Sequence, residues 1–168
     1  MKNNNDLGRR NFIKKTSLAA AAPLLMPLPS ASWQPFLFTK VKKRIALVGT
    51  GTRGSNAWAK PIVQRYQDHV DLVAICDSNN KRMAYAQNYI GTKAPMYNAS
   101  DFDKMIKETK PDTVIVTTTD CFHEKYIIRA MELGCDVISE KPLVTDASQG
   151  QRIIDAEKRT GKRITTTF

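Results

Sequence analysis

A chain of 168 residues is long enough for one ordinary domain with a real core and too short for two large ones. Its formal net charge of +10 invites a nucleic-acid reading, yet residues 1–44 hold nine of the 26 Lys and Arg and a single acid, so that segment carries +8 and the remainder only +2. Residues 45–168 show no aromatic and basic interleaving, zinc spacing or RNA-binding motif, so the composition argues against a nucleic-acid function and no metal site is expected.

In chain order, residues 1–32 read as an export signal. Met1 to Arg10 is polar and basic, and Arg9-Arg10-Asn11-Phe12-Ile13-Lys14-Lys15 resembles the bacterial twin-arginine motif. The apolar stretch Leu18 to Leu28 is too short, and too broken by Pro23, Pro27 and Pro29, to span a bilayer as a stable helix. Small residues at Ser30-Ala31-Ser32 suit a signal peptidase; the alternative is a disordered basic arm. Residues 33–43 form a linker whose Lys40, Lys42 and Lys43 lead into the first strand.

The chain is organised around Arg44 to Gly54, RIALVGTGTRG, in which a buried-strand run over Arg44 to Val48 ends in Gly49, Gly51 and Gly54. This is the G-x-G-x-x-G spacing of a strand feeding a phosphate-binding turn: the first glycine for the tight turn, the second for close approach of backbone N–H groups to a pyrophosphate, the third for helix packing on the sheet. Taken alone the pattern also fits a glycine-rich turn with no ligand. A second apolar run, Val70 to Cys76, ends in Asp77, which lies 23 residues after Gly54, where an acid should meet an adenosine ribose. With strand, turn, helix, strand and acid in order, dinucleotide binding is the reading. The helix after the turn should begin near Thr52 and kink or break at Pro61, a second short helix running to about Gln67. Trp58, Ile62 and Val63 should face the sheet, while the lone His69 reads as a surface residue.

Further along, Asn80 to Tyr89 is a polar helix stopped by Gly91, Pro95 to Tyr97 a minimal third strand, and Asp101 to Thr109 a helix with Ser100 as its N-cap. Thr113 to Thr117, TVIVT, suits a parallel strand covered on both faces. Helix His123 to Leu133 follows, then strand Asp136 to Ser139, helix Asp146 to Thr160 with Asp146 as cap, and a sixth strand opening at Ile164. Alternating strands and helices specify an α/β domain with a doubly wound parallel sheet over residues 44–168. Ligands bind there beyond the carboxyl ends of the strands, which selects Gly49 to Gly54, Asp77, Thr117 to His123 and Glu140 to Pro142. Cys76, Cys121 and Cys135 are odd in number and irregular in spacing, and read as ordinary buried or semi-buried thiols.

RIALVGTGTRG, VIVTTTDCFH and AMELGCDVISEKPL, in this order, resemble the Gfo/Idh/MocA oxidoreductases over roughly residues 42–168, Glu140-Lys141-Pro142 being the most specific part. The resemblance implies a Rossmann first domain in which the turn Gly49, Thr50, Gly51, Thr52, Arg53 and Gly54 holds the pyrophosphate, with the amides of Thr52 and Arg53 as donors. It implies that Asp77 accepts from the adenosine ribose, favouring NAD over NADP, with Lys81 and Arg82 close behind. Thr118 and His123 would line the cofactor channel, Glu140 would lie beside the nicotinamide ribose, and Lys141 would be the catalytic lysine at the substrate oxygen. Family members usually carry a proline in the loop after the fourth strand, where this chain has Thr119.

The resemblance implies an NAD(H)-dependent oxidoreductase acting on a sugar or cyclitol by hydride transfer; composition and the broken apolar stretch point to no nucleic-acid partner and no stable membrane span. Twin-arginine export, which carries folded proteins, fits a protein that loads its dinucleotide before crossing to the periplasm. Two other readings are an NAD-dependent glycosidase of the same fold, working by transient oxidation and elimination, and a non-catalytic dinucleotide-binding module. The family's second domain, through whose sheet copies often pair, is not present; the sequence stops at Phe168 within a threonine-rich run, so truncation, a bare edge and poor solubility are expected.

Overall fold

A computed structural model of the protein describes residues 41–167. The expected export signal, all of the linker before Val41 and the terminal Phe168 lie outside the described residues.

Six parallel strands form one sheet: β1 (Lys43–Val48), β2 (Val70–Asp77), β3 (Met96–Asn98), β4 (Thr113–Val116), β5 (Asp136–Ser139) and β6 (Ile164–Thr166), in the order β3-β2-β1-β4-β5-β6. The chain therefore builds outward from β1 in one direction and then, from β4, in the other. β1 pairs with β2 through a bulge, Ile45 facing Leu72 while Ala46 faces Ala74.

Alternate residues of the central strands feed two cores, which is why these strands read as continuous apolar runs. Leu47, Ile75 and Ile115 pack on one face with Ala59, Ile62, Ala86 and Ile90. Val48, Cys76, Val114 and Val116 pack on the other with Met105, Ile127, Met131 and Ile153. Burial pushes the Cys76 thiol up to about 12 and the Cys135 thiol up to about 11; all three cysteines are free, and Cys121, in the short turn before α4, is exposed rather than buried.

The helices explain their own boundaries. A wide π-helical segment, Arg53–Ala59, runs into α1 (Lys60–Arg65), where Lys60 N–H donates back five residues to Ser55 O. The expected kink at Pro61 is thus absorbed as a widened turn, with the proline in the first turn of α1. α2 (Asn80–Ile90) begins where the Asn79 side chain accepts from Arg82 N–H and ends on left-handed Gly91. α3 (Phe102–Thr109) follows a short 3-10 turn over Ala99–Asp101. Ser100 lies inside that turn and is not the cap; the Asn98 side chain accepts from Ser100 N–H instead. α4 (His123–Glu132) and α5 (Ala147–Thr160) complete the fold, the latter with Asp146 accepting from Gln149 N–H. His69 is exposed.

Candidate dinucleotide site

The glycine turn sits at the carboxyl end of β1, at the point where strand order reverses. The ladder continues past the strand ends: Gly49 N–H donates to Cys76 O at 2.8 Å, Thr117 N–H to Val48 O at 2.8 Å, and Glu140 N–H to Val116 O at 3.0 Å. Three loops are thereby drawn to one edge.

Each glycine answers a different demand. Gly49 has φ +94°, and a Cβ there would lie 2.5 Å from Thr117 O. A Cβ on Gly54 would lie 2.1 Å from Gly49 O, so this is where the helix presses on the turn. Gly51 meets nothing within 4 Å and opens onto a cleft of about 410 Å³ whose walls include Arg53, Asp77, Thr118 and Phe122. A backbone open at that point is the opening a pyrophosphate requires, so these residues fit a dinucleotide.

Asp77 is 7% exposed. Its Oδ2 accepts from Thr50 N–H at 2.7 Å and the Thr50 hydroxyl at 2.8 Å, and its Oδ1 accepts from Asn79 N–H at 3.0 Å. Burial works to raise its pKa, but those hydrogen bonds and Arg82, 3.8 Å away, outweigh it and hold the carboxyl below its ordinary range. Asp77 therefore anchors the glycine turn as well as lining the cleft. Thr117, the residue after β4, supports the same turn, its hydroxyl donating to Gly49 O at 2.7 Å.

His123 is 1% exposed, with Nδ1 2.8 Å from Pro142 O and Nε2 3.0 Å from Thr118 O. It braces the loop after β4 against the loop after β5. Glu140 is 6% exposed; its Oε1 accepts from Trp58 Nε1–H at 2.7 Å and forms an ion pair with Arg53, whose Nε lies 2.8 Å away. Burial works against its ionisation, but Trp58 and Arg53 prevail and hold its pKa below the ordinary value. Lys141 is exposed, directly before a cis peptide to Pro142.

The structure thus brings Gly49, Gly51, Thr52, Arg53, Asp77 and Thr118 to one cleft. Thr50 is turned onto Asp77 and Gly54 is closed in behind the turn. Glu140 is joined to the cleft through Arg53, Lys141 is not part of its lining, and the polar atoms of His123 are engaged by the protein. Thr117 and Phe122 fall in the selected loop Thr117 to His123, although the support that Thr117 gives the turn was not foreseen; Lys125 and Tyr126, further cleft walls, were missed. Only the tertiary fold, which turns the start of α4 toward the glycine turn, reveals those two. Among the described residues no group of three or more His, Cys, Asp or Glu is placed to hold a metal, and no helix is long and apolar enough to cross a membrane.

Comparison with known proteins agrees with this geometry. Residues 43–168 match the GFO_IDH_MocA model, described as an oxidoreductase family with an NAD-binding Rossmann fold. The chain is 31% identical over 129 residues to the D-glucoside 3-dehydrogenase of Escherichia coli, covering 74% of this chain and 34% of that protein. It is 31% identical over 121 residues to the inositol 2-dehydrogenase of Agrobacterium fabrum, covering 72% and 35%. Among solved structures, the WlbA dehydrogenase of Bordetella pertussis, in complex with NADH and UDP-GlcNAcA, superposes with a TM-score of 0.66 at 28% identity, covering 76% of this chain and 37% of that one. The chain spans about a third of the length of the relatives it matches.

Proposed function

Since the chain belongs to the Gfo/Idh/MocA oxidoreductase family, we propose that it is the NAD(H)-holding part of a dehydrogenase acting on a sugar or cyclitol. The observation that carries this reading is the open face of Gly51 at the strand-order reversal, within one cleft shared by Asp77 and Thr118. The relatives named for glucoside and inositol oxidation support the substrate class.

In this reading the amides of Thr52 and Arg53 hold the pyrophosphate and Asp77 orients the adenosine ribose. A carboxylate at that place favours NAD, because a 2'-phosphate would meet like charge. Bound nicotinamide supplies a hydride acceptor or donor. Oxidation of a carbinol also requires its hydroxyl proton to leave, and the Lys141 ammonium beside that oxygen would stabilise the developing alkoxide and relay the proton. Glu140 and Pro142 on either side fix where that lysine starts.

Export through the twin-arginine route belongs to the same proposal, supported by Arg9 and Arg10 ahead of the short apolar run Leu18 to Leu28. A periplasmic destination suits a protein that folds around its cofactor first.

Calorimetric titration of the chain with NAD and NADP at matched salt tests the central claim. Saturable NAD binding, weakened at least tenfold by Asp77→Asn and weaker for NADP, is expected. A folded sample that takes up neither dinucleotide would overturn it.

A further inference from the structure

Lys141 is exposed and lies between two anchored neighbours. On one side the Glu140 carboxylate is drawn inward by Trp58 and Arg53, both on the π-helical segment that follows the glycine turn. On the other, Pro142 O lies 2.8 Å from His123 Nδ1, and the same ring reaches Thr118 O. Lys141 is thus the one residue between these two fixed points.

Arg53 has two claims on it. Its side chain is 58% exposed and lines the cleft, while its Nε holds a carboxylate whose own side chain is 8% exposed. A guanidinium is a planar fork suited to pairing with carboxylate and phosphate oxygens alike. A pyrophosphate seated in the turn would meet the same cation that secures Glu140.

We infer that Arg53 and Glu140 are positioning residues through which filling of the glycine turn is felt at Lys141. This deepens the dinucleotide reading and rests on it. When a pyrophosphate shares Arg53, the ion pair to Glu140 weakens or shifts, the Trp58 hydrogen bond takes a larger part in holding the carboxylate, and Lys141 is re-placed. Linkage makes the effect reciprocal: whatever fixes Glu140 alters the affinity of the turn for its anion. Trp58 is a built-in reporter, because its indole N–H ends on the same carboxylate oxygen as Arg53.

The test uses ADP-ribose, which carries the pyrophosphate but has no nicotinamide ring to cover the lysine directly. The full chain and its Arg53→Gln, Arg53→Lys and Glu140→Gln variants are each brought to saturation. Acetylation of Lys141 is followed by mass spectrometry, and the Trp58 indole N–H by NMR, with Trp58→Phe assigning the resonance against Trp33. In the unaltered chain ADP-ribose is expected to change Lys141 acetylation at least threefold and to shift the indole resonance. Both responses should vanish in Arg53→Gln and Glu140→Gln and return in part in Arg53→Lys. Saturable binding with Lys141 unmoved, or with the same response in the variants, overturns the coupling and leaves the dinucleotide reading standing. Failure of the folded, unaltered chain to bind ADP-ribose overturns both.

Discussion

Gly51 and Gly54 stand three residues apart in one turn and are glycines for opposite reasons. Gly54 is closed in by the protein, an added Cβ falling 2.1 Å from Gly49 O and 2.5 Å from the Thr117 hydroxyl, whereas Gly51 faces open cleft. Their alanine variants should therefore separate folding from binding. Gly54→Ala forces the turn away from β4, and overpacking of this kind costs about 1–3 kcal/mol; a lowered urea midpoint at unchanged slope would record it. Gly51→Ala has a backbone that an L residue tolerates, so its midpoint should hold or rise, while its methyl group stands in the opening a pyrophosphate needs and NAD affinity should fall at least tenfold. Equal effects of the two on both measurements would dissolve the distinction. Asp77 shows the same doubling of duty: its place at the end of β2 is legible from spacing, but its hold on Thr50 is not. Spacing along the chain says which strand end a carboxylate occupies and nothing about which donors surround it.

Elements with a local cause are those that the chain declares. β5 over Asp136–Ser139, the Asp146 cap of α5 and the Gly91 stop of α2 follow from periodicity and end signals carried by the residues themselves. The departures have tertiary causes. Ser100 is as good a cap as Asn98 in isolation, but pairing of Asn98 with Asp77 at the end of β3 puts the chain reversal two residues earlier than expected. Pro61 declares a disturbance without its form, since a widened turn spares the helix a clean break. Least legible was the union of Trp58, Arg53 and Glu140, residues up to 87 positions apart that only the strand order brings together. The loop after β4 gives a test at this scale. Thr119 holds φ −63° and ψ 140°, the conformation proline imposes, and its N–H donates to none of the described residues. Thr119→Pro should therefore stabilise the chain by about 0.4–1 kcal/mol through the unfolded state. A drop in the urea midpoint would show that this loop depends on the threonine.

Across the whole domain, the two buried carboxylates of the site lie on opposite arms of the sheet, Asp77 ending β2 on one side of β1 and Glu140 following β5 on the other. Each is held below its ordinary pKa by donors from the glycine turn and the helical segment behind it, Thr50 for Asp77 and Arg53 with Trp58 for Glu140. The two arms are thus fastened to a common centre by charge-assisted bonds that exist only while both groups are ionised. A carboxyl whose folded pKa lies below its unfolded value contributes stability that is present above the unfolded value and is lost as pH falls through the folded one. Stability from this pair should be unchanged between pH 6 and 8 and should decline below about pH 5, where ordinary carboxylates begin to take up protons. Urea midpoints measured across that range should fall steeply at the acid end for the unaltered chain. The fall should be shallower for a combined Asp77→Asn and Glu140→Gln variant, which starts less stable at neutrality because its amides keep the shape and lose the charge. An acid slope identical in both would place the acid sensitivity in the exposed ion pairs of the helices, and the centre would then hold through packing of the two cores alone.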